Sequence, residues 1–192
     1  MRLKAYTLLI LIVLVVIGSA FSDEDLSLWL KHMTKTFSGY DKSETLTDFP
    51  ALIVLEETDA GVGFYYTDFL SLPYDDLRFA TEDKETQLDF EVESWNINGK
   101  SYVWVRIPEL TQDTKIHAFR GKAGVVVPDV SSLVWEDSYK CVWHLNGNTD
   151  DSTVNENHAT SCYATPVSGL MGNAYDFVPA NSAYIDTPSN VK

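Results

Sequence analysis

The side chains here most suited to chemistry are carboxylates, and Asp89-Phe-Glu91-Val-Glu93 sets three of them at alternate positions. Alternate residues of a β-strand share a face, so all three would point the same way. Two carboxylates on one face can work as acid and as base or nucleophile in glycoside hydrolysis. Same-face neighbours stand roughly 6.7 Å apart, which puts the outer pair near ~13 Å, whereas retaining chemistry wants carboxyls about 5.5 Å apart. The spacing therefore predicts a solvated acidic face and no catalytic residue. A hydrolase using Glu91 and Glu93 is kept as the alternative.

Other groups offer binding rather than catalysis. Asp150, Asp151 and Asn155, with loop carbonyls, are hard oxygen ligands of the kind Ca²⁺ takes. The EF-hand spacing is absent and Asp with Asn is also ordinary turn chemistry, so a structural calcium is the one cofactor considered. His144 and His158 could meet across the same loop. Two His without a spaced third ligand make a poor zinc site, so a packed His144 and an exposed His158 are expected. Tyr65, Tyr66 and Trp95 fall in loops where aromatic rings could stack on sugars, with packing against a core as the other reading. Ser-His-Asp order, a phosphate loop and a dinucleotide fingerprint are all missing.

The chain opens Met-Arg-Leu-Lys, runs apolar from Leu8 to Ile17 and reaches small residues at Gly18, Ser19 and Ala20. That is the pattern of a secretory signal peptide over residues 1–22, with cleavage after Ala20 or Ser22. The run is shorter than the roughly 20 residues a spanning helix needs, so no membrane span is expected after cleavage. Removing Arg2 and Lys4 leaves 12 bases against 28 acids, a net charge of −16. Such a surface excludes nucleic acid as a partner, because phosphate binding needs clustered Lys and Arg. Export also favours a disulfide between Cys141 and Cys162, with two free thiols as the alternative.

These groups must be held by strands. Ser101-Tyr-Val-Trp-Val-Arg-Ile-Pro108 alternates strictly, Tyr102, Trp104 and Arg106 on one face and Val103, Val105 and Ile107 on the other. Pro108 should end it. Residues 88–95 alternate as well, and Asn98-Gly99 between the two is a hairpin signature. Further strands are read at residues 26–37, with Trp29 at an edge, and at residues 49–55, 75–79 and 115–119. Short strands, frequent turns and no amphipathic helix argue for an antiparallel β-sandwich, its core filled by Trp104, Phe79, Phe90, Phe119 and the Leu52–Leu55 run. After about residue 129 the text changes. Residues 169–177 and 183–188 read as two strands, and the Asn- and Asp-rich stretch 146–160 reads as a loop.

Phe49-Pro-Ala-Leu-Ile-Val-Leu55, Asp76-Leu-Arg-Phe79, Glu91-Val-Glu-Ser-Trp95 and Tyr102-Val-Trp-Val-Arg-Ile-Pro108 resemble the successive motifs of a bacterial domain-of-unknown-function family. The resemblance implies an exported protein in which this domain precedes a laminin-G-like, concanavalin A-like domain, in some architectures with a MotA/TolQ/ExbB-type proton channel. Val142-Trp-His-Leu145, Asp151 to His158, Gly172-Asn-Ala-Tyr-Asp-Phe177 and Tyr184-Ile-Asp186 are similar to the opening strands of that second domain. The expected organisation is a signal peptide at 1–22, a jelly-roll-like sandwich at 23–129 and an incomplete concanavalin A-like sandwich at 130–192, either a fragment or completed by a partner strand. The implied role is a secreted, periplasmic or cell-surface binding module, not an enzyme, for polysaccharide or a surface protein. A structural domain of a larger envelope assembly is the alternative.

Overall fold

The computed structural model describes residues 24–37, 39–59, 63–136, 138–189 and 191. The signal-peptide reading of residues 1–22 lies outside the described residues. No described helix is long and apolar enough to cross a membrane.

Two antiparallel sheets face each other. The first has three strands in the order β2-β6-β5, with β2 Leu46–Leu55, β5 Phe90–Ser94 and β6 Ser101–Leu110. The second has four in the order β1-β7-β3-β4, with β1 Lys31–Thr36, β3 Arg78–Thr81, β4 Gln87–Leu88 and β7 Lys115–Arg120. One apolar cluster joins them: Ile53, Leu55, Phe90, Val103, Val105 and Ile107 from the first sheet meet Phe79, Leu88, Ile116 and Ala118 from the second. The chain is thus an all-β sandwich, and β6 divides its faces as alternation requires: Val103, Val105 and Ile107 inward, Tyr102, Trp104 and Arg106 outward. A smaller cluster of Leu26, Trp29, Ala80 and Phe119 closes one end. β1 lies along β7, beginning at the pair Lys31 with Arg120.

Four details differ from the alternation reading, each for a physical reason. Residues 26–28 form a single 3₁₀ turn capped by Asp25, and Trp29 is buried rather than at an edge because its Nε1 donates to the Asp76 carbonyl at 2.6 Å. The strand expected over 88–95 is two strands in different sheets: β4 pairs with β3, and the chain crosses at Asp89 to join β6 as β5. Pro108 does not end β6, which continues to Leu110. Arg106 donates to the Asp89 carbonyl on the β5 side, and two residues on, where Pro108 lacks a donor, the neighbouring chain has already left for the other sheet. Trp104 is absent from the core; it stands on the outer face of β6, and the residues after 130 cover it.

Ion pairs and caps fix the sandwich's end. The Asp76 carboxylate is wholly buried and accepts from the backbone N–H groups of Leu70, Ser71, Gly121 and Lys122 at 2.7–3.3 Å. Arg78 pairs with Glu24 and donates to the carbonyls of Asp75, Leu77 and Val126, while Arg120 pairs with Asp68. At Gly121, with φ +93°, a Cβ would press on Leu30 at 3.2 Å.

Among the described residues from Ser138 onward, regular structure shrinks to one 3₁₀ turn, Pro179–Asn181, and two ribbons. β8 Ser161–Cys162 pairs with β11 Ile185–Asp186, and β9 Thr165–Ser168 with β10 Asn173–Asp176. Of the strands read at 169–177 and 183–188, only residues 173–176 and 185–186 are extended pairs.

Candidate functional site

Glu91 and Glu93 lie on the outer face of β5, and the fold treats them unlike a solvated acidic face. Glu91 is paired with Trp104 of β6, and a bulge between Val92 and Ser94 inserts Glu93 as an extra residue. A bulge re-aims the side chain it adds. Here Glu93 turns toward Trp104, whose Nε1 donates to Glu93 Oε2 at 3.0 Å. The segment beyond the sandwich then covers both acids. A short 3₁₀ turn, Ser131–Val134, delivers Trp135, which donates from Nε1 to Glu91 Oε2 at 2.7 Å. His144 sits between the two carboxylates, with Nε2 3.1 Å from Glu91 Oε2 and Nδ1 2.5 Å from Glu93 Oε2. Ser152 donates to Glu91 Oε1 at 2.7 Å, and Asn146 donates to the Glu93 carbonyl at 2.6 Å.

The acids are correspondingly hidden, with side-chain exposure of 16% for Glu91, 5% for Glu93 and 15% for His144. The expected solvated face is corrected at these two positions. Asp89 keeps that character in part, half-buried and 3.8 Å from Arg106; desolvation raises its pKa above the ordinary carboxylate value, against the opposing pull of Arg106.

Electrostatics follow from the geometry. Burial alone would push the His144 imidazole toward neutrality, but hydrogen bonds and charge from Glu91 and Glu93 outweigh it and raise its pKa to about 9. His144 is therefore an imidazolium at neutral pH, donating from both nitrogens, with the rings of Trp104 and Trp135 centred 6.2 and 5.4 Å away. Burial likewise pushes Glu93 up, yet donors from His144 and Trp104 hold it below the ordinary carboxylate range. A carboxyl so held cannot act as a proton donor at neutral pH. The cluster is a joint between two parts of the chain, with its donors and acceptors matched to each other.

A second feature lies at the end of the β5–β6 hairpin. Ser94, Trp95, Asn96, Lys100 and Tyr102 line a recess of about 520 Å³ whose far wall is Leu170 and its neighbouring glycines, in the turn between β9 and β10. It combines an indole and a phenol with an amide and an ammonium.

The residues singled out from sequence are placed as follows. Tyr66 is buried, its hydroxyl bonded to the carbonyls of Leu55 and Gly99 and to Ser101 Oγ, so no ring face is left for a sugar. Tyr65 is partly exposed, its hydroxyl donating to the Asp59 carbonyl at 2.6 Å. Trp95 packs edge-on against Tyr66 and Phe69 and also lines the recess. The three do not form one platform. Tyr102 joins Trp95 instead, and alternation had already placed it outward on β6.

Asp150, Asp151 and Asn155 do not converge as open ligands. Asp151 is buried, and its two oxygens accept from the backbone N–H groups of Val142, Thr153 and Asn157 and from the Thr153 hydroxyl, all within 3.0 Å. A cation there would face N–H dipoles. Asp150 is exposed, and Asn155 donates to the Tyr139 carbonyl. Among the described residues no group of three or more His, Cys, Asp and Glu is arranged to hold a metal ion. His158 is half exposed and accepts from the Asp151 N–H at Nδ1, 2.9 Å. Cys141 and Cys162 are free thiols rather than a bridge: Cys162 is fixed in β8 opposite Ile185, its sulfur turned to the Ala164 carbonyl.

Sequence reasoning missed the pairing of Glu91 and Glu93 with His144. One half turns on register: a two-residue count through Asn98-Gly99 sets Glu91 opposite Arg106, and the bulge at Glu93 together with a longer turn moves its partner to Trp104. The other half depends on where a remote loop lands.

Residues 73–134 match the model of a family described as a domain of unknown function (DUF2341), a stretch that contains Asp76, Arg78, Glu91, Glu93, Trp104 and Arg120. No curated protein and no solved structure matches the chain.

Proposed function

We propose that this chain is a non-catalytic binding module of an exported protein, secreted, periplasmic or at the cell surface, and that it holds a polysaccharide segment in the recess between the β5–β6 hairpin and the β9–β10 turn. The observation that carries the reading is the lining of that recess. Trp95 and Tyr102 supply aromatic surface for pyranose faces, Asn96 and Ser94 supply hydrogen-bonding groups, and about 520 Å³ is within the usual range for ligand pockets. The non-catalytic part is supported by the joint, where Glu91 and Glu93 already have donors on their oxygens and no open carboxylate pair is left for acid and base.

The test is binding to a polysaccharide array. The intact chain should retain at least one glycan, and Tyr102→Ala should weaken that binding by ~10-fold or more while leaving the melting temperature in place. Tyr102 is the cleaner probe, since Trp95 also packs on Tyr66 and Phe69. Release of reducing ends, lost in Glu91→Gln, would replace this reading with hydrolysis.

A second reading, a structural spacer in a larger envelope assembly, is favoured by the same joint, which ties the sandwich to the following segment through a buried charged cluster. It predicts no glycan signal, with a membrane or channel module as the binding partner in pull-down.

A further inference from the structure

The sequence contains two Asn-Gly steps, Asn98-Gly99 and Asn146-Gly147, and the fold treats them in opposite ways. Asn98 is exposed in the β5–β6 turn, where its backbone N–H donates to Asn96 Oδ1 at 3.0 Å and its own side-chain amide makes no hydrogen bond among the described residues. Gly99 is held at its N–H by a long 3.2 Å bond to the Asn96 carbonyl and at its own carbonyl by the Tyr66 hydroxyl at 3.0 Å, neither of which ties down the Asn98 side chain. Asn146 is half-buried and engaged at both ends: Nδ2 donates to the Glu93 carbonyl at 2.6 Å, and Oδ1 accepts from the Asn173 N–H at 2.7 Å.

We propose that Asn98 is a site of spontaneous deamidation and that the fold protects Asn146 from the same reaction. The Gly99 amide nitrogen gives up its proton to water or hydroxide and attacks Asn98 Cγ. The Cγ–Nδ2 bond breaks, and Nδ2 leaves with a proton as ammonia. The resulting five-membered succinimide is opened by one water at either carbonyl, giving aspartate or isoaspartate and restoring the Gly99 N–H. Water enters, ammonia leaves, and nothing is oxidised or reduced. Glycine is the residue that permits this, because no Cβ shields its nitrogen and the backbone can rotate into the attacking geometry. At Asn146 the attack needs the side chain to rotate, which breaks both of its hydrogen bonds.

The product has a location with consequences. A carboxylate at position 98 would stand between Asn96 and Lys100, both on the rim of the recess, and would compete with Glu56 for the Lys100 ammonium, now 3.7 Å from Glu56 Oε2. The isoaspartate form would also lengthen the backbone inside the turn.

The experiment holds the intact folded chain at mildly alkaline pH and follows both steps by peptide mass mapping and isoaspartyl methyltransferase labelling. Asn98 should convert first, with Asn146 slower by roughly 10-fold or more, the scale set by two lost hydrogen bonds. In denaturant the two rates should approach each other. Gly99→Ala should slow conversion at Asn98; the added Cβ would meet the Asn96 side chain, its amide nitrogen at 3.0 Å and its Cγ at 3.7 Å, and that side chain can swing aside. An Asn98 that stays intact in the folded chain while the denatured chain converts would overturn the proposal. So would an Asn146 that converts as fast as Asn98 without denaturant.

Discussion

Residues 31–120 and residues 138–189 are held together by opposite means. The first region buries a continuous cluster of branched and aromatic side chains, with Leu55, Leu77, Phe79, Val103 and Val105 at 0% exposure. In the second, the buried residues are Asp151, Thr153 and Asn157, all polar, while Tyr163, Leu170, Phe177 and Tyr184 are exposed. Burying apolar area is what overcomes chain entropy, and intramolecular hydrogen bonds replace bonds to water at modest net gain. The second region therefore takes its order from being docked on the first, through Trp135, His144, Asn146 and Ser152. The difference teaches that the joint, rather than a core, sets the stability of residues 138–189.

The largest effect should come from the core. Phe79→Ala removes a fully buried ring between the sheets and should cost about 3–5 kcal/mol in urea unfolding. Both regions should lose structure together, and a second region that kept its protected amides in that variant would break the comparison. The joint should respond next, and to pH. His144 has a folded pKa raised to about 9 from an ordinary 6.5, so its contribution to docking is fully present below about pH 6.5 and is lost as pH rises through about 9. Limited proteolysis should show residues 138–189 cut faster at about pH 10 than at about pH 7, with the sandwich resistant at both, and His144→Gln should remove that dependence.

A smaller and more local effect is expected at the loop. Asp151→Ala orphans three backbone donors and should cost about 2 kcal/mol locally, seen as faster hydrogen exchange at Val142, Thr153 and Asn157. Exchange in β6 should be unchanged, because no Asp151 contact reaches it. The smallest effect concerns the cysteines. With Cys141 and Cys162 unbonded, a reductant should leave the melting curve where it is, and thiol labelling of the denatured chain should give the same count with and without prior reduction. A lower melting temperature on reduction would show a covalent tie in the region described here as held by hydrogen bonds.

Much of the sandwich could be read along the chain, because strand alternation is a local property. Val103, Val105 and Ile107 against Tyr102, Trp104 and Arg106 is a pattern any pairing must respect, and the Asn98-Gly99 turn ties β5 to β6. What escaped depends on more than one strand. Residues 87–93 alternate without interruption, so nothing local marks Asp89 as the point where the chain changes sheets. Trp104 reads as core because it is large and apolar, yet the face it occupies is covered by a segment some 30 residues later. The site was the least legible part. Tyr65 and Tyr66 are adjacent in sequence but unlike in burial, and the cover over Glu91 and Glu93 is supplied by side chains from 135 to 152 whose landing place no periodicity encodes.

The pairing of Lys31 with Arg120 has a mechanical consequence. The chain enters the sandwich at the start of β1 and leaves it at the end of β7, and these two points are opposite rungs at one end of the same antiparallel ladder. Tension applied through the two ends of the sandwich thus loads that ladder one rung at a time, as a zipper is loaded, rather than shearing all its bonds together. In a force experiment the anchors ahead of the ladder, Trp29 and the Glu24–Arg78 pair, should give way first and β1 should then peel from β7, while the β2-β6-β5 sheet, off the line of pull, stays shut.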